Sequence, residues 1–398
     1  MISTDFKLKL PPRNALSRHE LLSLFNCFLY YRRIGLDPGY DDFFENQYTS
    51  AFASYMGGGY SDAVSSGCSS IYIALKSLSL PSGSLVATSP VTDASVIGCL
   101  VSLGLVPYLL DSDYQSYNTG IRQLKDRYIP AIKALVLTHA GGVPCKDTVQ
   151  ISEFCKSKNI VLIEDCSQAI GAIPQESNLR VGKFGRFGCF STMYRKNLAA
   201  GGSSGLLYCT DYKDYQIAKQ HADRGKRWWD KTSVDLRDPG FADFPGLNFN
   251  SDEIRCSIGL ANLSRLPSTI SKRKKFLSDL IFFLDKYSVK LFFPSEFHSG
   301  ISPFYFPIFI DTSLTSTPVL SISHALKDDG LGIGVKYGCL VSTWKWASQY
   351  MYDKFHAPNA LAARDQCFHL YLNENYTRRH ARLIAKRLSL WEQCYIRK

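Results

Sequence analysis

Four short apolar runs that stop at polar or acidic residues constrain this chain's fold most. Leu85-Val86-Ala87 stops at Thr88-Ser89-Pro90, and Val106–Leu110 stops at Asp111. Ala134-Leu135-Val136-Leu137 stops at Thr138-His139, and Ile160-Val161-Leu162-Ile163 stops at Glu164-Asp165. The runs are nearly continuous rather than alternating, so both faces of each strand are buried. Helical patterns separate them. Ile71, Ala74, Leu75 and Leu78 share one helical face, and further helices are expected over Ala94–Leu103 and Thr148–Lys158. Strands of this kind between helices predict a mostly parallel sheet covered on both sides. Ligands gather at the carboxyl ends of such strands. Thr88, His139 and Asp165 all stand at such ends.

Gly205–Cys209 is a later strand. Beyond it, Glu253–Leu263 reads as a helix with Ile254, Ile258 and Ala261 on one face, leading through Leu266-Pro267 into a basic helix, Ile270–Tyr287. Pro294 and Pro303 then interrupt the chain. Strands are expected at Phe304–Ile310 and Ile333–Tyr337, and helices at Ser321–Asp329 and Arg378–Gln393. The 398 residues exceed what one small core needs. The expected division is a large α/β unit over residues 1–250, with a helical N-terminal segment, and a small α+β unit over 251–398.

Composition removes several classes. With 45% hydrophobic and 20% charged residues, the balance is that of an ordinary globular protein. No apolar run reaches the roughly 20 residues that span a bilayer, and Met1-Ile2-Ser3-Thr4-Asp5-Phe6-Lys7 lacks the basic-then-apolar pattern of a secretion signal. A cytoplasmic protein without a membrane partner is expected. The twelve cysteines contain no CxxC, and the closest pair, Cys145 and Cys155, is ten residues apart. Zinc-site spacing is therefore absent, no metal is expected, and the thiols read as reduced and mostly buried. The net charge of +11 is dispersed. Its densest run, Lys272-Arg273-Lys274-Lys275, lies in a helical pattern and reads as a solvated face rather than a nucleic-acid patch.

The chemistry concentrates in two segments. Phe190-Ser191-Thr192-Met193-Tyr194-Arg195-Lys196 places a hydroxyl five residues before a lysine and runs on to Gly201-Gly202. Ile163-Glu164-Asp165-Cys166-Ser167-Gln168-Ala169 places an acid at the end of a strand. A lysine that can bond to an aldehyde, an acid that can keep a pyridine nitrogen protonated and a phosphate-binding hydroxyl are what a pyridoxal 5'-phosphate (PLP) site needs. Each residue also has a plainer reading: a loop lysine, a helix N-cap at Asp165, capping by Ser65 or Ser66, a turn at Asn248.

Six motifs in order carry a resemblance. Ser66-Gly67-Cys68-Ser69-Ser70 resembles SGTAA, and His139-Ala140-Gly141-Gly142-Val143-Pro144 resembles HxxGxP. The Ile163–Ala169 segment resembles IEDxAQA. Gly188-Cys189-Phe190-Ser191 through Lys196-Asn197 resembles GCFSFxPTKN. Gly246–Asn250 resembles GxNxR, and Glu253–Leu260 resembles ELQAAIGL. These are motifs of the DegT/DnrJ/StrS sugar aminotransferases. The match runs from about residue 40 to 275 and more weakly to about 375.

The resemblance implies a PLP-dependent transferase of fold type I: a three-layer αβα sandwich with a mostly parallel mixed sheet, plus a smaller C-terminal α+β domain. It implies Lys196 as the catalytic lysine, Asp165 at the pyridine nitrogen and Gln168 at the ring or its phenolic oxygen. Gly67, Cys68, Ser69 and Ser191 would hold the phosphate. Asn248 would reach the cofactor of a neighbouring subunit, hence a homodimer with shared sites. The implied reaction moves an amino group, from L-glutamate, to a keto sugar, most often nucleotide-linked, in amino-sugar biosynthesis for a surface polysaccharide or secondary metabolite. Two other readings are a sugar dehydrase of the same family, whose branch carries His in place of the lysine, and a non-catalytic regulator or scaffold.

Departures from the pattern cluster near the substrate. Cys68 replaces a Thr, and Asn250 replaces an Arg. Ser89-Pro90-Val91-Thr92-Asp93-Ala94 lacks the aromatic residue that stacks on the ring in relatives. Met193-Tyr194-Arg195 replaces HPT, and Gly334-Val335-Lys336-Tyr337 replaces GVHY.

Overall fold

A computed structural model describes residues 8–13, 17–228, 240 and 242–396. The Met1–Lys7 stretch read above for a signal pattern lies outside the described residues.

The chain starts with two helices, α1 (Arg18–Ile34) and α2 (Phe43–Met56). Ser17 and Glu20 form a capping box that starts α1, and Gly35, in the left-handed conformation, ends it. The large unit then alternates: β1 (Tyr60–Val64), α3 (Gly67–Lys76), β2 (Leu85–Thr88), α4 (Ala94–Ser102), β3 (Val106–Leu109), α5 (Ile121–Asp126), β4 (Ile132–Thr138), α6 (Thr148–Ser157), β5 (Val161–Asp165), β6 (Phe187–Ser191), β7 (Gly205–Cys209) and α7 (Tyr212–Ala222). The seven strands form one sheet in the order β1-β7-β6-β5-β4-β2-β3, and β7 alone runs antiparallel to its neighbours.

Helices cover both faces, because nearly every strand position is buried. On one face α3, α4 and α7 enclose Val86, Val136, Ile163 and Leu207. On the other, α1, α2 and the start of α8 (Glu253–Lys286) pack over Ala63, Phe190, Leu206 and Tyr208. The three-layer αβα arrangement with a mixed sheet follows.

A second sheet is built from β8 (Phe292–Pro294), β9 (Tyr305–Ile310), β10 (Ile333–Gly334) and β11 (Cys367–Tyr371), in the antiparallel order β10-β11-β9-β8. The later turns of α8 pack against it together with α9 (Val319–Asp328) and α11 (Arg378–Tyr395). A short helix, α10 (Pro358–Asp365), leads into β11. Among the described residues, no helix is long and apolar enough to cross a membrane.

Two elements differ from the sequence reading. The pair of helices expected on either side of Leu266-Pro267 is one 34-residue helix with Pro267 inside it. An interior proline costs about 3 kcal/mol. Buried residues on both sides of it, Leu263 and Leu266 before and Ile270 and Phe276 after, keep the helix continuous. The strand expected over Ile333–Tyr337 pairs only at Ile333 and Gly334, because Tyr337 turns to a different task.

Candidate active site

The parallel strands deliver their carboxyl ends to one edge. Thr138 pairs with Asp165, and Asp165 with Cys189, so the ends of β4, β5 and β6 lie side by side. Asp165 is buried at 3% exposure. The N–H of Ser167 donates to its Oδ1 at 3.0 Å, and Thr138 Oγ1 lies 3.5 Å from Oδ2. Thr138 Oγ1 also bonds to Thr92 Oγ1 at 3.0 Å, which ties the segment before α4 to the same corner. Burial pushes the Asp165 carboxyl above its ordinary range, while the Ser167 hydrogen bonds and the Lys196 ammonium pull it back. Such a carboxylate is stabilised by any cation placed against it.

Lys196 is that cation within this chain. It follows β6 in a turn closed by Lys196 N–H to Met193 O (3.1 Å) and Ala200 N–H to Thr192 O (2.7 Å). Its side chain is buried, with Nζ 4.6 Å from the centroid of the Phe304 ring. Burial depresses the Lys196 pKa, and the charges of Asp165 and Asp93 oppose the shift. The chain's backbone is held from outside the sheet. Arg13 Nη2 donates to Lys196 O at 2.8 Å, and Asn197 Nδ2 donates to Ser302 Oγ at 2.9 Å. Arg273, buried in α8, reaches Asn197 Oδ1 and pairs with Glu374 at 3.0 Å.

Phe304 arrives through the turn after β4. Ser302 N–H donates to Gly142 O at 2.8 Å and Phe304 N–H to Gly141 O at 3.0 Å. Gly142 has φ +85°, and a Cβ there would lie 1.9 Å from Ser302 O, so only glycine permits this approach.

The residues expected at the phosphate meet where α3 starts. Gly67 lies against Ser191 so closely that a Cβ on Gly67 would be 2.7 Å from Ser191 Cβ. The Ser66 side chain caps the helix by accepting from Ser69 N–H at 3.0 Å. The Ser69 amide, expected at the phosphate, is thus engaged by its own helix cap in this structure. The first-turn amides of Gly67 and Cys68 remain as donors at the positive end of the helix. Gly67→Ala should wedge α3 away from Ser191 and weaken PLP binding by about tenfold or more, about 1.4 kcal/mol in binding. Titration of the cofactor-free protein by absorbance measures this, and unchanged affinity would contradict the placement.

Gln168 bridges the two units. Its Oε1 accepts from Gly141 N–H at 2.7 Å, and its Nε2 donates to Tyr337 Oη at 3.0 Å. Tyr337 thereby faces the site, packed at 5.0 Å from Tyr305 and 4.9 Å from His369, ring to ring. Lys336 points elsewhere, paired with Asp365 at 3.0 Å in a half-exposed bridge. Asn248 is exposed. Its Oδ1 accepts from the N–H and Nδ2 of Asn250, at 3.1 and 3.0 Å, and the segment runs beside Val64 and Ser65 just before Gly67.

Sequence reasoning missed four residues that bear on Lys196 or on the backbone beside it. Asp93 stood in the segment noted for its missing aromatic, and its charge acts on both Lys196 and Asp165. Phe304 supplies an aromatic ring from the second unit. Arg13 and Arg273 act through long-range contacts that no local pattern announces.

One buried trio, His139, Glu164 and Cys166, has metal-ligating atoms close together. Its capacity is already used. Cys145 N–H donates to His139 Nδ1 at 3.0 Å, which leaves the proton on Nε2, 3.2 Å from Glu164 Oε2. Glu164 also accepts from the N–H groups of Gly182, Phe184 and Gly185 at 2.7–2.8 Å. His139 and Glu164 brace the 182–185 turn.

The fold is that of a type I PLP transferase, and the donor types at its strand ends fit PLP: first-turn amides of α3 suited to a phosphate, a buried carboxylate suited to a pyridinium and a buried amine suited to an aldehyde. Residues 43–389 match the DegT/DnrJ/EryC1/StrS aminotransferase family, and the chain belongs to it. The GDP-perosamine synthase of Escherichia coli O157:H7 is 27% identical over 225 residues, covering 56% of this chain and 57% of that protein. The chain thus spans a little over half the length of such curated relatives. Among solved structures, an aminotransferase from Psychrobacter cryohalolentis superposes with a TM-score of 0.85 at 19% identity, covering 95% of this chain and 97% of that one. The E. coli GDP-4-keto-6-deoxy-D-mannose-3-dehydratase with bound hydrated PLP gives 0.84 at 20% identity, covering 96% and 100%. These likenesses establish the fold.

Proposed function

We propose that this chain is a PLP-dependent aminotransferase that passes an amino group from L-glutamate to a nucleotide-linked keto sugar. The observation that carries the reading is the burial of Lys196 and Asp165 in one corner with the free start of α3. A scaffold has no use for a buried lysine whose charge is offset only through space by Asp165 and Asp93, since a buried ammonium without a close partner is costly. When bound, PLP supplies an electron sink for the carbanion formed at the reacting carbon.

The chain's residues do the rest. The Gly67 and Cys68 amides and the Ser191 hydroxyl bind the phosphate. Asp165 keeps a proton on the pyridine nitrogen, and Gln168, braced by Tyr337, orients the ring's phenolic side. Lys196 Nζ accepts the proton from the donor's Cα and delivers one to the sugar carbon that receives nitrogen. Phe304 screens this amine from water. The names of relatives such as GDP-perosamine synthase and a UDP-N-acetyl-3-dehydroglucosamine 3-aminotransferase support a sugar nucleotide as acceptor. A homodimer is part of the proposal. Exposed apolar residues along α1, among them Leu21, Leu22, Phe25 and Phe28, form a face that a subunit contact would cover.

Purified protein loaded with PLP should show a visible absorption band that L-glutamate removes and a keto-sugar nucleotide restores, with an amino sugar as product. A product without nitrogen would support the dehydrase reading, and failure to take up PLP would overturn both. The pH dependence follows from Lys196. Its neutral amine is the form that bonds to an aldehyde, and burial favours that form. Covalent PLP uptake should therefore reach half its maximum at a pH below the ordinary lysine value of about 10.4. A midpoint at or above that value would show that Lys196 is not desolvated.

A further inference from the structure

We infer that Cys68 and Cys99 form a redox-active dithiol at the cofactor's phosphate site, oxidised to a disulfide by hydroperoxides when the cofactor is absent. The proposal rests on the PLP reading for its consequence but not for its chemistry. Cys68 is exposed and occupies the first turn of α3, while Cys99 is buried in α4, and the two Sγ atoms are 3.6 Å apart. Cys99 Sγ also lies 3.5 Å from Cys68 O, so the buried thiol is aimed at the exposed residue from two directions. Closing to a disulfide requires the sulfurs to approach to about 2.0 Å, which is within reach of side-chain rotation in two helices already in contact.

The two thiols have unequal roles. A helix N-terminus stabilises a thiolate, and the hydrogen bond from Cys99 holds Cys68 below the ordinary thiol range. The Cys99 thiol is pushed the opposite way by that bond and by burial. Cys68 is thus the attacking group. Its thiolate attacks the hydroperoxide oxygen, breaks the O–O bond and becomes a sulfenic acid as the alcohol or water leaves with a proton. The Cys99 sulfur then attacks the sulfenyl sulfur and expels water. Two thiols and one hydroperoxide give one disulfide, one alcohol and one water, with two electrons passed to oxygen.

The site's position gives the reaction a consequence. The Cys68 amide is one of the two free donors at the start of α3, next to Gly67, which touches Ser191. A bound phosphate covers this turn and shields Cys68. Shielding slows the oxidation; separately, drawing the Cys68 side chain onto Cys99 pulls on the turn whose amide would hold the phosphate, so the oxidised form binds it more weakly, and by linkage the bound ligand disfavours the disulfide to the same extent. Thr stands at this position in the family pattern, so the dithiol is a property of this chain rather than of the PLP scaffold.

The test treats the full-length protein with hydrogen peroxide, with and without PLP, followed by alkylation and peptide mass analysis. In the cofactor-free protein the expected product joins the peptides carrying Cys68 and Cys99, reversibly with dithiothreitol. PLP saturation should slow its formation. The oxidised protein should bind PLP about fivefold or more weakly than the reduced protein, in the usual range for coupled sites. Cys99→Ala should abolish the cross-link. Separate alkylation of Cys68 and Cys99 after full oxidation would overturn the proposal, as would a cross-linked protein with unchanged PLP affinity. If neither form binds PLP, the cofactor reading fails, while the peptide analysis still decides whether the dithiol exists.

Discussion

Lys196→Ala is expected to lower the rate of amino transfer by about four orders of magnitude, the upper end of what a positioned acid–base group supplies. The substitution removes the amine proposed to move a proton at the reacting carbon. It also removes the cation that faces Asp165 and Asp93, so Asp165 loses an interaction that holds its carboxyl down. The variant should still fold. The Lys196 backbone is held by Arg13 and its neighbour Asn197 by Ser302 and Arg273, none of which contacts the amine. PLP should therefore still bind through α3, Ser191 and Asp165, but without a covalent link that borohydride can fix. Steady-state kinetics and reduction with borohydride check both halves. A variant that retains a tenth of the native rate would remove Lys196 from the mechanism.

Glu164→Ala should be the most destabilising substitution among these residues, by about 3–5 kcal/mol, the range for stripping one partner from a buried charged network. Glu164 is fully buried. It accepts from three backbone N–H groups of the 182–185 turn and from His139, and alanine leaves all four without a partner. The turn leads directly into β6, which carries Ser191, and Glu164 is adjacent to Asp165. Loss of the brace should thus loosen both ends of the cofactor site as well as the fold. Urea denaturation of the cofactor-free protein measures it, and a loss below about 1 kcal/mol would mean that the turn is held by other contacts.

The legible part of this molecule is the part built from local pattern. Continuous apolar runs mark β2, β3, β4 and β5, and the residue at the end of β5 is the acid proposed to face the pyridine nitrogen. The motif around Ser191 and Lys196 was visible because spacing along one strand and turn is local. β1 and β6 are not legible as strands in the sequence: Tyr60-Ser61-Asp62 is polar at its start and Phe187-Gly188-Cys189 contains a glycine, so neither shows an apolar run. Pro267 suggested a break that packing on both sides of α8 prevents. Phe304, Arg13 and Arg273 come from segments far apart in sequence, and only the docking of the second sheet brings them to Lys196. Ser69 illustrates the converse: its motif marks a helix start, but which first-turn amide the Ser66 side chain caps depends on that side chain's rotamer, which sequence does not settle.

The central claim is that Lys196, opposite Asp165 and beside the start of α3, is the residue that holds PLP. The most direct measurement is to load the purified protein with PLP, reduce it with borohydride, digest it and locate the pyridoxyl group by mass spectrometry. The structure predicts one group per chain, on the peptide that carries Lys196. A label on another lysine, such as Lys183 or Lys336, or no label at all, would contradict it.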